Sequence, residues 1–155
     1  MRFAIDSNIL VYALIRDEPR KHELASEIMV RAMSLDAVIA AQTLAEFLNV
    51  VQRKQPQLFE EARTQARRWK ITFEPLDTSS HHVLEGADFA ARYRLQLWDS
   101  IIWQVVRSAG AELFLTEDLQ DQLTIEGMKV LNPFSPTNSA ELQALLSSSD
   151  HQIDW

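Results

Sequence analysis

Short apolar runs alternating with helix-spaced segments constrain this fold most. The runs are RFAID (2–6), AVIAA (37–41), ITFEPL (71–76), the ELFL of ELFLTED (112–118) and MKVLNPF (128–134). Each is too short for a helix, and helical apolar spacing fills most of the gaps between them. Strands separated by helices belong to a parallel sheet covered on both faces. The 155 residues contain only three glycines, too few for an all-β chain rich in tight turns. The reading is one α/β domain with three layers, α/β/α, around a mostly parallel five-stranded sheet.

The helical segments carry their own signals. Asp17 is placed to cap a helix with Leu24, Ile28 and Met29 on one stripe. Thr43 precedes a second helix with Leu44, Phe47, Leu48 and Val51 inward, and Pro56 stops it. QLFEEARTQARRWK forms a third, and Ser80 caps a fourth that runs to about Arg94. LWDSIIWQVVRSAG is apolar almost all round, which places it in the interior. Residues 1–134 form the domain. Residues 135–155 read as a C-terminal extension with a short helix capped by Asn138 and Glu141, followed by a loose end.

In an open parallel sheet, ligands collect beyond the carboxyl ends of the strands. Asp6 ends the first strand. Glu46 is expected in the first turn of the helix after the second strand. Asp99 opens the interior helix, and Asp118 follows the strand after it. These four acids therefore converge on one edge from distant positions. Crowded carboxylates repel one another, and burying them unpaired is unfavourable. A hard divalent cation, Mg²⁺ or Mn²⁺, resolves that conflict with oxygen ligands. Asn8 and Thr116 lie beside the acids as supporting residues. Asp121 is either an additional ligand or a turn residue, and its place in DLQDQ favours the turn.

There is no cysteine, which excludes disulfides, thiolate zinc sites and cysteine nucleophiles. The formal net charge is −7, and after residue 77 only Arg92, Arg94, Arg107 and Lys129 are basic. A chain of this charge is not a purely electrostatic nucleic-acid binder, although bound cations reverse the field locally. Arg16, Arg20, Lys21, Arg92 and Arg94 are the candidate phosphate contacts. No apolar stretch is long enough to span a bilayer, and the first residues lack the form of a secretory signal. The expected location is the cytoplasm.

Four stretches, FAIDSNILVYAL, AAQTLAEFLNVVQRK, LQLWDSIIWQVVRSAGAELFLTEDLQDQ and KVLNPF, resemble the PIN-domain ribonucleases, above all the VapC-like toxins of toxin–antitoxin pairs. The resemblance spans about residues 2–134. The family's acids fall on Asp6, Glu46, Asp99 and Asp118, and its small polar residues on Asn8 and Thr116. It implies a Mg²⁺- or Mn²⁺-dependent endoribonuclease that hydrolyses RNA phosphodiesters, forms a homodimer and is held inactive by a cognate antitoxin protein. Two other readings begin from the same residues. A haloacid-dehalogenase-type phosphatase would want an acid two positions after Asp6, where Asn8 stands, and a downstream lysine, for which only Lys129 is on offer. A non-catalytic RNA- or protein-binding module could use the same fold, but would have no reason to keep the complete acid set.

Overall fold

The computed structural model describes residues 1–148. The segment 149–155, on which the expected loose end falls, lies outside the described residues. The elements run β1 (Phe3–Ile5), α1 (Ser7–Leu14), α2 (Pro19–Ala32), β2 (Ala37–Val38), α3 (Ala41–Lys54), α4 (Phe59–Phe73), α5 (Ser80–Tyr93), α6 (Leu97–Ser108), β3 (Leu113–Leu115), β4 (Thr124–Ile125), β5 (Met128–Leu131) and α7 (Ser139–Ser147). Short 3-10 turns at Pro56–Leu58 and Pro136–Asn138 lead into α4 and α7.

The five strands form one sheet in the order β2-β1-β3-β5-β4. All neighbours are parallel except the β4–β5 hairpin. That hairpin turns through Glu126 and Gly127, both at positive φ (49° and 86°), as a two-residue turn between right-twisted strands requires. Alternate side chains of β1 and β3 feed opposite faces. Phe3, Ile5, Leu113 and Leu115 join a core with α1, α2, α3, α4 and α7, whereas Ala4 and Phe114 join α5 and α6. The molecule is thus the expected three-layer α/β/α arrangement.

On the second face, α5 and α6 pack closely. A Cβ on Gly86 would lie 2.8 Å from Ile101 Cγ1 and 3.0 Å from its Cα, so only glycine permits this approach. Trp103 stands in that core between Phe89 and Phe114, with ring centroids at 5.6 and 6.0 Å.

Several local expectations are corrected. ITFEPL is not a strand: α4 continues through Phe73, and only Leu76 makes a bridge, with Ala40. The fifth strand is instead Thr124–Ile125. Glu18 rather than Asp17 precedes α2, with Pro19 at its first position. α3 starts at Ala41, so Thr43 lies buried within it and Glu46 is past its first turn. Ser79 rather than Ser80 caps α5, in a reciprocal capping box with His82. Asn138 precedes α7 without capping it. Within the segment after residue 134, Leu142, Leu145 and Leu146 of α7 are buried in the first core.

Candidate active site

The chain leaves β1 toward β2 on one side and later returns through β3 on the other. A doubly wound sheet opens a crevice where its connections diverge in this way, at the carboxyl ends of the two strands. Here those strands are β1 and β3, paired Ile5 to Leu115. The next residues are Asp6 and Thr116, and both are buried.

Asp6 is tightly held. Its Oδ1 accepts from Ser7 N at 2.8 Å, and its Oδ2 accepts from Thr116 Oγ1 at 2.7 Å and from Asn8 Nδ2 at 3.4 Å. Asn8 Nδ2 also donates to Thr116 Oγ1 at 3.1 Å and to Asp118 Oδ2 at 3.0 Å. The hydroxyl of Thr116 accepts from Asp118 N at 3.1 Å, which folds the Thr116–Asp118 loop back toward Asp6. Asn8 and Thr116 thus link two acids that are distant in sequence.

Glu46 is held from α1 and from its own helix. Its Oε2 accepts from Ser7 Oγ at 3.1 Å and its Oε1 from Gln42 Nε2 at 3.2 Å. Gln42 Nε2 also donates to Trp98 O at 3.1 Å, so one amide ties α3 to the start of α6, where Asp99 sits in the first turn. Ser7 and Gln42 are not among the residues singled out from sequence. The usable signal was that Gln42 precedes Glu46 by four residues on one helix face.

The acids feel one another. Burial is the main cause that pushes the Asp6 carboxyl up to about 7, with the Glu46 and Asp99 charges adding to it and the bonds from Thr116 and Ser7 N opposing it. Burial also pushes Asp99 up to about 6, followed by the charges of Glu46 and Asp118. The charges of Glu46 and Asp99 thus reach Asp6, and those of Glu46 and Asp118 reach Asp99. Among the described residues, however, no three carboxylate or imidazole groups are already gathered into a cage that could hold a metal ion. The donor chemistry fits a hard cation all the same. Every donor is oxygen, and among the described residues no basic side chain is bonded to Asp6 and the neighbouring Asn8 Oδ1 is buried without a hydrogen-bond partner.

Residues matched to the PIN-domain family model run from 3 to 123, most of the chain and all four acids. The chain belongs to the PIN-domain family. Similar solved structures agree on this PIN fold. VapC20 of Mycobacterium tuberculosis, a sarcin–ricin loop cleaving toxin, is 12% identical with a TM-score of 0.63, over 75% of this chain and 89% of that one. VapBC2 from Rickettsia felis, bound to a DNA fragment from their promoter, is 16% identical with a TM-score of 0.62, over 85% and 98%. A toxin–antitoxin complex from Klebsiella pneumoniae is 20% identical with a TM-score of 0.61, over 85% and 98%. No curated protein matches significantly.

The remaining sequence candidates divide. Asp121 is a structural residue of this PIN domain. Its Oδ1 accepts from Asn132 N at 2.8 Å, and its two oxygens accept from Asn138 Nδ2 at 3.0 and 2.8 Å, which anchors the segment leading to α7. Lys21 faces inward onto Glu117, with Nζ 2.9 Å from Oε2, and is not a free surface cation. Arg92 shares Glu126 with Arg107, at 3.7 and 3.4 Å. Arg16, Arg20 and Arg94 are exposed. Among the described residues, no helix is long and apolar enough to cross a membrane.

Proposed function

We propose that this PIN domain is a divalent-metal-dependent endoribonuclease, the toxin of a toxin–antitoxin pair. The observation that supports the reading is the hydrogen-bonded group of Asp6, Asn8, Thr116 and Asp118 at the ends of β1 and β3, with the charges of Glu46 and Asp99 acting on the buried Asp6 carboxyl. Likeness in fold to VapC and VapBC structures supports the toxin assignment and a protein antitoxin as partner.

In this reading Asp6, Glu46, Asp99 and Asp118 hold Mg²⁺ or Mn²⁺. Such a cation supplies Lewis acidity toward a phosphodiester and lowers the pKa of water. The chain's own part is orientation. Ser7 N and Thr116 Oγ1 fix the two oxygens of Asp6, and Oδ1, with Ser7 N as its one donor, keeps a further lone pair for a cation. Ser7 Oγ and Gln42 Nε2 do the same for Glu46, and Asn8 sets Asp118 relative to Asp6. Arg16, Arg20 and Arg94 are exposed cations suited to RNA phosphates, so binding weakens as salt rises.

A phosphatase of the haloacid-dehalogenase type finds no support. Asn8 occupies the position of the needed second acid, and Lys129 is paired with Glu141. The test is RNA cleavage with Mn²⁺ by wild type and Asp99→Asn, with fragment ends sequenced. Cleavage by wild type that is lost in the variant and on chelation is expected. Equal cleavage by both proteins overturns the assignment.

A further inference from the structure

Three consecutive residues after β3 send their side chains to different tasks. Thr116 and Asp118 turn toward Asp6 and Asn8. Glu117, between them, turns toward α1 and α2. Its Oε1 accepts from the Tyr12 hydroxyl and its Oε2 from Lys21 Nζ at 2.9 Å. Lys21 Nζ also donates to Tyr12 Oη at 3.2 Å. The ammonium lies over the Tyr12 and Phe134 rings, 4.9 and 5.5 Å from their centroids, and those rings meet edge to face at 5.1 Å. Two helices, α1 and α2, therefore donate to one carboxylate, and Phe134 lies against both donors.

We propose that Lys21 and Tyr12 are positioning residues that keep Glu117 out of the acid cluster and so fix the loop presenting Asp118. The inference rests on the metal-site reading above. A fifth unpaired carboxylate next to Asp118 would add repulsion to a group of acids already uncomfortable with one another. Lys21 neutralises it, and because the Glu117 side chain is only 20% exposed, the pair is better shielded from solvent than an ordinary surface bridge. Two aromatic faces and the Tyr12 hydroxyl set its direction. With Glu117 turned away, its neighbours Thr116 and Asp118 are left facing the crevice.

The experiment compares wild type, Lys21→Met, Glu117→Gln, the double variant and Tyr12→Phe. The readouts are Mn²⁺ affinity by calorimetry, amide exchange at Asp118 by NMR, and kcat and KM on RNA. Lys21→Met is expected to weaken Mn²⁺ binding about tenfold, to speed exchange at Asp118 and to lower kcat more than KM changes. The double variant, with no stranded charge, recovers most of the affinity. Tyr12→Phe keeps the ring and the fold, and shifts exchange at Asp118 in the same direction more mildly. An unchanged Asp118 amide in both Lys21→Met and Tyr12→Phe overturns the proposal. So does a higher KM with a shallower salt dependence that Glu117→Gln fails to relieve, since that marks Lys21 as a phosphate contact. Failure of wild type to bind Mn²⁺ would instead defeat the metal-site reading, and exchange at Asp118 would still decide the role of Lys21.

Discussion

Thr116 Oγ1 donates to Asp6 Oδ2 at 2.7 Å while accepting from Asp118 N at 3.1 Å, so one hydroxyl joins the ends of β1 and β3. Thr116→Val keeps the shape and removes both bonds, together with the one that Thr116 Oγ1 accepts from Asn8 Nδ2. The buried Asp6 oxygen then loses its shortest donor. Urea unfolding should show a loss of about 1–3 kcal/mol, and Thr116→Ser should recover most of it.

The metal-free protein should weaken as pH rises. Asp6 titrates near 7 and Asp99 near 6 in the folded chain, against 3.8 when unfolded. Between these limits the native state still holds protons that the unfolded state has released. The stabilisation is therefore complete below about pH 4 and disappears as pH climbs through 6 and 7. The check is the urea midpoint measured across this range for wild type and Asp6→Asn. The variant should show a visibly flatter decline, since its amide does not ionise.

Gly86→Ala forces a methyl against Ile101, two residues beyond Asp99. Both helices are packed into the second core, so relief requires α5 and α6 to separate. A loss of about 1–3 kcal/mol in thermal or urea unfolding is expected.

Asp121 is expected to support the fold and not the metal. Asp121→Ala removes the acceptor for Asn132 N and Asn138 Nδ2, and should lower stability by about 2–3 kcal/mol. The gain in melting temperature on adding Mn²⁺ should stay as large as in wild type. A reduced gain would return Asp121 to the acid cluster.

The candidate acids stand out in the sequence because of where they lie. Asp6 ends an apolar run and Asp99 begins an interior helix, and parallel topology brings such positions to one edge. The strand at 71–76 was misread because ITF looks β-prone on local propensity, yet it is the last turn of α4, with Ile71 80% exposed. Thr124–Ile125 escaped notice because two residues after a polar loop carry no periodicity. Lys21 reads in sequence as a candidate phosphate contact because its partner Glu117 is 96 positions away, a pairing only the folded chain reveals.

The most direct measurement is a Mn²⁺ titration of wild type beside Asp6→Asn, Glu46→Gln, Asp99→Asn and Asp118→Asn, each shown to be folded. A single shared site predicts that wild type binds and that every variant loses about tenfold or more in affinity. Indistinguishable isotherms across all five proteins would contradict it.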